Sequence, residues 1–239
     1  LILFICAADS VSAGHGPHTY KQSAASIVKL LPTWPGYQRP GFGAPSGVAP
    51  EGSGFFLAAN LRAGERTPYI VTAAHVIAAA QRIEIEMAGP LRVDAELLYL
   101  DEARDIAILK APVKGTSIGI ETLLAPDIGT HVCALGNPFG LGISLSCGVV
   151  SAVNRKAGFQ PIEDFIQTDA AINPGMSGGA LVDETGQLLG MINAIFTKEA
   201  DIDAGVNFAI STALLAEVLS RPELPFCSAE KPSELLTNC

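Results

Sequence analysis

Apolar residues in this chain come in short runs broken by turn residues. One set reads "GFFLAAN" from Gly54, "YIVTAAHVI" from Tyr69, "RIEIEM" from Arg82, "LRVDAELLYL" from Leu91 and "DIAILKA" from Asp105. A second set reads "HVCALG" from His131, "ISLSCGVVSAV" from Ile143, "DFIQTD" from Asp164, "GALVD" from Gly179, "LLGMINAIF" from Leu188 and "GVNFAIS" from Gly205. Many strands of about four to eight residues, punctuated by turns, predict a barrel or sandwich rather than a βαβ fold. "RVDAELLYLD" alternates apolar and polar and predicts a half-buried strand. "TALLAEVL", Thr212 to Leu219, is the one strong helix, with Ser211 or Thr212 as its cap and Pro222 beyond its end. Before the strands lies a Gly- and Pro-rich segment in which only "ASIVKLL", Ala25 to Leu31, predicts ordered structure.

Composition narrows the picture. The chain has 239 residues, of which 49% are hydrophobic and 16% charged, as expected of a chain that packs a core. Its net charge of −9 excludes nucleic acid as a natural partner, because phosphate binding needs a basic face. The opening "LILFICAADSVSA" predicts the apolar end of a signal peptide over residues 1–13, and hence export to the periplasm or the medium. Lipid attachment at Cys6 is disfavoured by bulky Ile5. Beyond this stretch no apolar run reaches the length of a membrane span.

The remaining cysteines are even in number, which suits an oxidising compartment. Cys133 and Cys147 flank a Gly/Pro-rich turn almost symmetrically, so antiparallel strands would set them opposite. The expected pairs are Cys133–Cys147 and Cys227–Cys239. No spacing resembles a zinc site, and no metal or cofactor is expected.

Three places carry the residue types of nucleophilic acyl transfer, in the order His, Asp, Ser. A Ser hydroxyl attacks only when a base takes its proton, and a carboxylate must hold that base in one tautomer. His75, in "IVTAAHVI", alone among the histidines follows a strand directly; His15 and His18 lie in the loose first segment and His131 at a strand start. Asp105, in "EARDIAILK", precedes an apolar strand that anchors it; Asp101 and Glu102 face a polar turn and rank lower. Ser177 lies in "NPGMSGGAL", where glycine lets the backbone turn its N–H groups inward as an oxyanion hole. Taken singly, a core histidine, a turn-capping aspartate and a Gly-rich hairpin are the plainer readings. The Ser-Asp-His order of α/β-hydrolases is absent, and "ALVD" after Ser177 reads as strand rather than helix.

"TAAHVI", "RDIAILK", "LGNPFGLGISLSCGVVSAVNR" and "IQTDAAINPGMSGGALVDETGQLLGMINAIF" resemble the HtrA (DegP/DegQ) family of trypsin-like serine proteases over roughly residues 50–219. The resemblance implies an all-β fold of two antiparallel six-stranded barrels with a C-terminal helix and the site in the cleft between them. The divisions it suggests are a segment over 14–50, a first barrel over 51–125, and a second barrel with helix and tail over 126–239. His75 and Asp105 would come from the first barrel. Ser177 and an oxyanion hole of Gly175, Met176 and Ser177 would come from the second.

By position, Ala171 would form the base of the primary pocket where trypsin has Asp. Ile172, Phe196 and Val206 would line it, and Asn193, Ala194 and Ile195 would pair with an extended substrate. A small or medium apolar residue would then be preferred before the cut bond. Met176 stands where the family has Asn, and its side chain is expected to be the least constrained part of the turn. The residues after the helix are too few for the PDZ domain of typical HtrA proteins. Tyr20, Trp34, Tyr37 and Phe42 would supply the aromatic contacts of a homotrimer. The alternative function is a trypsin-like scaffold that binds polypeptide without cutting it.

Overall fold

The computed structural model describes residues 16–46, 48–87, 89, 91–195 and 205–226, with Ala194 and Ile195 described by backbone alone. The expected signal remnant, Cys6, Phe196 and the Cys227–Cys239 pair lie outside the described residues.

Thirteen strands, three α-helices and two short 3-10 helices are described. The first half holds β1 (Ile27–Thr33), β2 (Gly52–Phe56), β3 (Arg66–Thr72), the short helix α2 (Ala74–Ile77), β4 (Arg82–Glu86), β5 (Arg92–Asp94), β6 (Glu96–Asp101) and β7 (Ile106–Thr116). The second holds β8 (His131–Gly136), β9 (Ser144–Arg155), β10 (Phe165–Thr168), β11 (Ala180–Val182), β12 (Leu188–Ile195), β13 (Asn207–Ser211) and the helix α3 (Thr212–Leu219). A helix α1 (Gly16–Ser23) precedes them all.

The second half is a closed six-stranded barrel in the order β10-β13-β12-β11-β8-β9. The first is not a closed barrel: it is a seven-stranded sheet in the order β5-β4-β1-β2-β3-β7-β6. Two details of the sequence explain the difference. β1 joins the sheet, pairing with both β2 and β4, rather than standing in a separate segment. "RVDAELLYLD" is two strands rather than one, because the chain changes partner at Ala95: β5 pairs with β4 and β6 with β7. The sheet's two edges are therefore neighbours in the chain, but no ladder joins them.

The core follows the strand period of two. Along β8, Val132 and Ala134 point into the barrel with Val150, Ile166 and Ile192. Cys133 and Leu135 point the other way, into a larger cluster that also holds Ile27, Phe55, Ile106, Phe165 and Leu214. That cluster draws on both halves, so they share one continuous core. Trp34 is buried in the first half at 1% exposure, so its ring is unavailable to a second chain, whereas Tyr20, Tyr37 and Phe42 are exposed.

Helix α3 begins and ends where the sequence places it. Ser211 accepts a hydrogen bond from Leu214 N and so caps the first turn. Helix α1 has no such signature in "GPHTYKQS". It is held to the second half by Thr19 Oγ1 donating to Glu184 O and Ser23 Oγ to Gly186 O. Cys133 and Cys147 face each other across the β8–β9 ladder and form a disulfide.

Candidate active site

His75 lies in α2, immediately after β3, and Asp105 immediately before β7. β3 and β7 are paired, which brings the two residues together at one end of the sheet. Asp105 adopts φ 56, a left-handed turn that points its carboxylate back over α2 rather than along β7. Its Oδ1 accepts from His75 N at 2.7 Å and its Oδ2 pairs with His75 Nδ1 at 2.7 Å. Asp105 is 3% exposed, so this acceptor is shielded from water. In the tautomer of a neutral imidazole that carries its proton on Nδ1, that nitrogen donates to Asp105 Oδ2 and Nε2 is left as an acceptor.

Ser177 is delivered by the second half. Its hydroxyl donates to Asn193 O at 3.0 Å. The side chain of the same Asn193 donates from Nδ2 to Asp105 Oδ2 at 2.5 Å. Asn193 thus touches both the carboxylate that holds His75 and the hydroxyl of Ser177. The sequence assigns Asn193 a part only through its strand; its side chain faces Asp105.

Around Ser177 the chain makes two tight turns. Met176 N donates to Asn173 O at 3.0 Å, and Gly179 N donates to Met176 O at 2.9 Å. The expected oxyanion donor Met176 is therefore excluded, since its N–H is consumed within the turn. Its side chain is also the reverse of unconstrained: it is 2% exposed and packs in the barrel core with Ile172 and Ile192. Among the described residues, no acceptor meets the N–H of Gly175 or of Ser177.

Glycine is required at two of these positions. Gly175 has φ 96, and a Cβ there would lie 2.4 Å from Asn137 O. Gly178 has φ 84, and a Cβ there would lie 2.2 Å from Ser53 O.

The remaining expected pocket residues divide. Ile172 is buried in the barrel core, Ala171 is exposed, and Val206 is half-buried against the shared cluster. Strand β12 pairs with β13 through Ala194 and Ile195. Its other edge pairs with β11 only as far as Met191, after which Ile192 bonds Gly178 and Gly179. Among the described residues, Asn193 to Ile195 therefore keep one edge outside the ladder. His131, Cys133 and Cys147 bring three ligand-type atoms within 4.8 Å of one another, but the two sulfurs are spent on the disulfide.

A model of the trypsin-like peptidase domain matches residues 52–191, a span that contains all three of His75, Asp105 and Ser177. The chain belongs to this family. Within it the likeness is to HtrA-type proteases. The periplasmic serine endoprotease DegP of Salmonella typhimurium is 36% identical over 179 residues, covering 70% of this chain and 38% of that protein. The periplasmic pH-dependent serine endoprotease DegQ of Escherichia coli is 39% identical over 161 residues, covering 66% of this chain and 35% of that protein. Among solved structures, the HtrA-type protease AlgW with a tripeptide superposes with a TM-score of 0.73 at 34% identity, over 86% of this chain and 62% of that one. A serine endoprotease from Yersinia pestis gives 0.69 at 31% identity, over 87% and 66%. The chain spans little more than a third of the length of these curated relatives.

Proposed function

We propose that this chain is a serine endopeptidase domain that cuts extended polypeptides through an acyl-enzyme. One observation carries the reading: Asn193 bonds at once to Asp105 and to Ser177, so the acid–base pair and the hydroxyl meet at a single residue. In this reading Asp105 holds His75 with its proton on Nδ1, and Nε2 takes the proton of Ser177 and later gives it to the leaving amine. The free N–H groups of Gly175 and Ser177 receive the oxyanion.

The bond from Ser177 to Asn193 O gives substrate a part in the first step. An extended peptide lying along the open edge of β12 presents an N–H to that same carbonyl. It displaces the Ser177 hydroxyl, which turns to His75. Attack then forms the Oγ–C bond, departure of the amine breaks the C–N bond, and water releases the acyl group.

The apolar residues Ile172 and Val206, and Ala171 in place of an acid, support cleavage after small or medium apolar residues. Profiling on a peptide library tests this, and cleavage after Arg or Lys defeats it. Periplasmic location follows from the likeness to DegP and DegQ, and polypeptide substrates from the same source. A homotrimer would be built on Tyr20, Tyr37 and Phe42, which are exposed close to one another in sequence. Light scattering of the purified chain, beside a variant with the three aromatics replaced by Ser, tests it.

The deciding experiment for the activity is casein digestion by the purified protein and by Ser177→Ala, with and without a serine-directed phosphonate. Digestion that depends on Ser177 and is blocked by the phosphonate is expected. Equal digestion by both proteins ends the mechanism. A folded but inert wild type would favour a non-catalytic polypeptide-binding scaffold.

A further inference from the structure

We propose that Ser53 is the positioning residue of the oxyanion turn, its hydroxyl fixing the direction in which the Gly175 and Ser177 N–H groups point. The inference rests on the endopeptidase reading above. Ser53 lies on β2, in the other half of the fold from the turn it touches, and is 0% exposed.

Five successive carbonyls of the turn are each held by a donor. Asn173 O receives Met176 N at 3.0 Å, Pro174 O receives Phe139 N at 2.8 Å, and Met176 O receives Gly179 N at 2.9 Å. The other two belong to Ser53. Its Oγ donates to Gly175 O at 2.7 Å, and its N–H donates to Ser177 O at 2.9 Å. Four of these donors are backbone groups that any residue would supply. The Ser53 hydroxyl is the one side chain among them.

A trans peptide carries its N–H on the side opposite its carbonyl. Holding Pro174 O therefore aims the Gly175 N–H, and holding Met176 O aims the Ser177 N–H. The Gly175–Met176 peptide joins these two units. It is fixed at one end by Ser53 Oγ and at the other by the bond from Met176 N to Asn173 O. With that central plane pinned, neither neighbouring peptide can rotate freely.

The hydroxyl has one proton, which it spends on Gly175 O. It accepts in turn from Asn137 N at 2.8 Å, so the bonds run in one direction, from Asn137 through Ser53 to Gly175. The bonds have no slack. A Cβ on Gly136 would lie 3.0 Å from Ser53 Oγ and 2.9 Å from Met176 Cα. Removing the single oxygen leaves a space smaller than a water molecule, and Gly175 O is then buried without a donor. Turning the Gly175–Met176 peptide is the available relief, and it swings the two oxyanion N–H groups off target. This misplaces transition-state contacts rather than substrate contacts, so it lowers kcat in preference to raising KM.

The test compares wild type, Ser53→Ala and Ser53→Cys. Cys puts a larger sulfur and only a weak donor at the same position, so it reads the hydrogen bond even if the Ala variant fails to fold. Each is assayed for kcat, KM and affinity for a peptide boronate, whose tetrahedral adduct places an oxygen in the hole. We expect kcat to fall on the order of 10- to 100-fold in Ser53→Ala and by a smaller factor in Ser53→Cys. Boronate affinity should fall in step, while KM stays within about threefold. A folded Ser53→Cys with wild-type kcat and boronate affinity overturns the proposal, as does a rise in KM at constant kcat. A wild type that neither turns over peptide nor binds the boronate overturns the endopeptidase reading, and this proposal with it.

Discussion

The Nδ2 of Asn193 lies 2.5 Å from Asp105 Oδ2, on the same oxygen that receives His75 Nδ1. One carboxylate oxygen thus takes two donors from two halves of the fold. The Asn193 amide limits how far the Asp105 carboxylate can turn away from His75.

Asn193→Ala should leave KM nearly unchanged and lower kcat. A hydrogen bond to a charged group contributes about 1.5–3 kcal/mol, which corresponds to roughly 10- to 100-fold in rate. Asn193→Asp should lose more, because it sets a second negative charge against Asp105. Steady-state kinetics on one peptide decides the matter. An alanine variant with wild-type kcat would show that the ring is held by Asp105 alone.

Arg104, one residue before Asp105, bridges Asp101 at 3.1 Å and Glu217 of α3 at 3.0 Å. Asp101 is 7% exposed and Glu217 44% exposed, so the two arms should differ in strength. The Glu217 arm should show a coupling of about 0.2–1 kcal/mol in a double-mutant cycle and shrink in high salt. Arg104→Ala should destabilise more than Glu217→Ala, since it also takes from a buried carboxylate the nearer of its two guanidinium partners, leaving Arg221 at 3.7 Å. Urea unfolding of the four proteins measures this, and equal costs for the two single variants contradict it.

The Cys133–Cys147 bridge closes a loop with a sequence separation of 14. Chain-entropy arguments assign such a loop about 3 kcal/mol. Dithiothreitol should therefore lower the unfolding midpoint of a variant whose other cysteines are replaced by Ser. If thiol titration shows no bridge before reduction, the pairing is refuted.

Glu163 gives a pH dependence with a definite sign. Burial pushes its carboxyl up, but the backbone N–H groups of Gln160, Gly158, Phe159 and Ala157 together hold it below the usual glutamate range. Because its folded value lies below the unfolded one, its contribution is complete above the unfolded range, about pH 4.3. It is lost as pH falls through the folded value. Glu163→Gln should be less stable than wild type at pH 7, with the gap narrowing as pH drops below about 4. A gap that stays constant across pH assigns the effect to shape rather than charge.

Where a residue's neighbours are close in sequence, its place was legible in advance. Helix α3 was readable from its cap and its apolar face, and the disulfide from symmetric spacing about a turn. The break at Ala95 was not, because alternation says which face a residue takes but not which strand it pairs with. Helix α1 was hidden for a similar reason: its anchors are carbonyls of Glu184 and Gly186, far along the chain. The place of Met176 was not legible because its departure from the family's Asn says nothing of packing, whereas the turn presses the side chain into the barrel against Ile172 and Ile192. Asn193 and Ser53 carry no local signal at all. Their partners lie 88 and 122 residues away, and only the meeting of two sheets reveals them.

The shared apolar cluster has a thermodynamic consequence. Ile27, Phe55 and Ile106 from one half and Leu135, Phe165 and Leu214 from the other pack in one mass, so neither half can melt without exposing the apolar surface of its neighbour. The chain should therefore denature as a single cooperative unit, with calorimetric and van't Hoff enthalpies in agreement. His75 and Ser177, though carried by different sheets, would then keep or lose their places together.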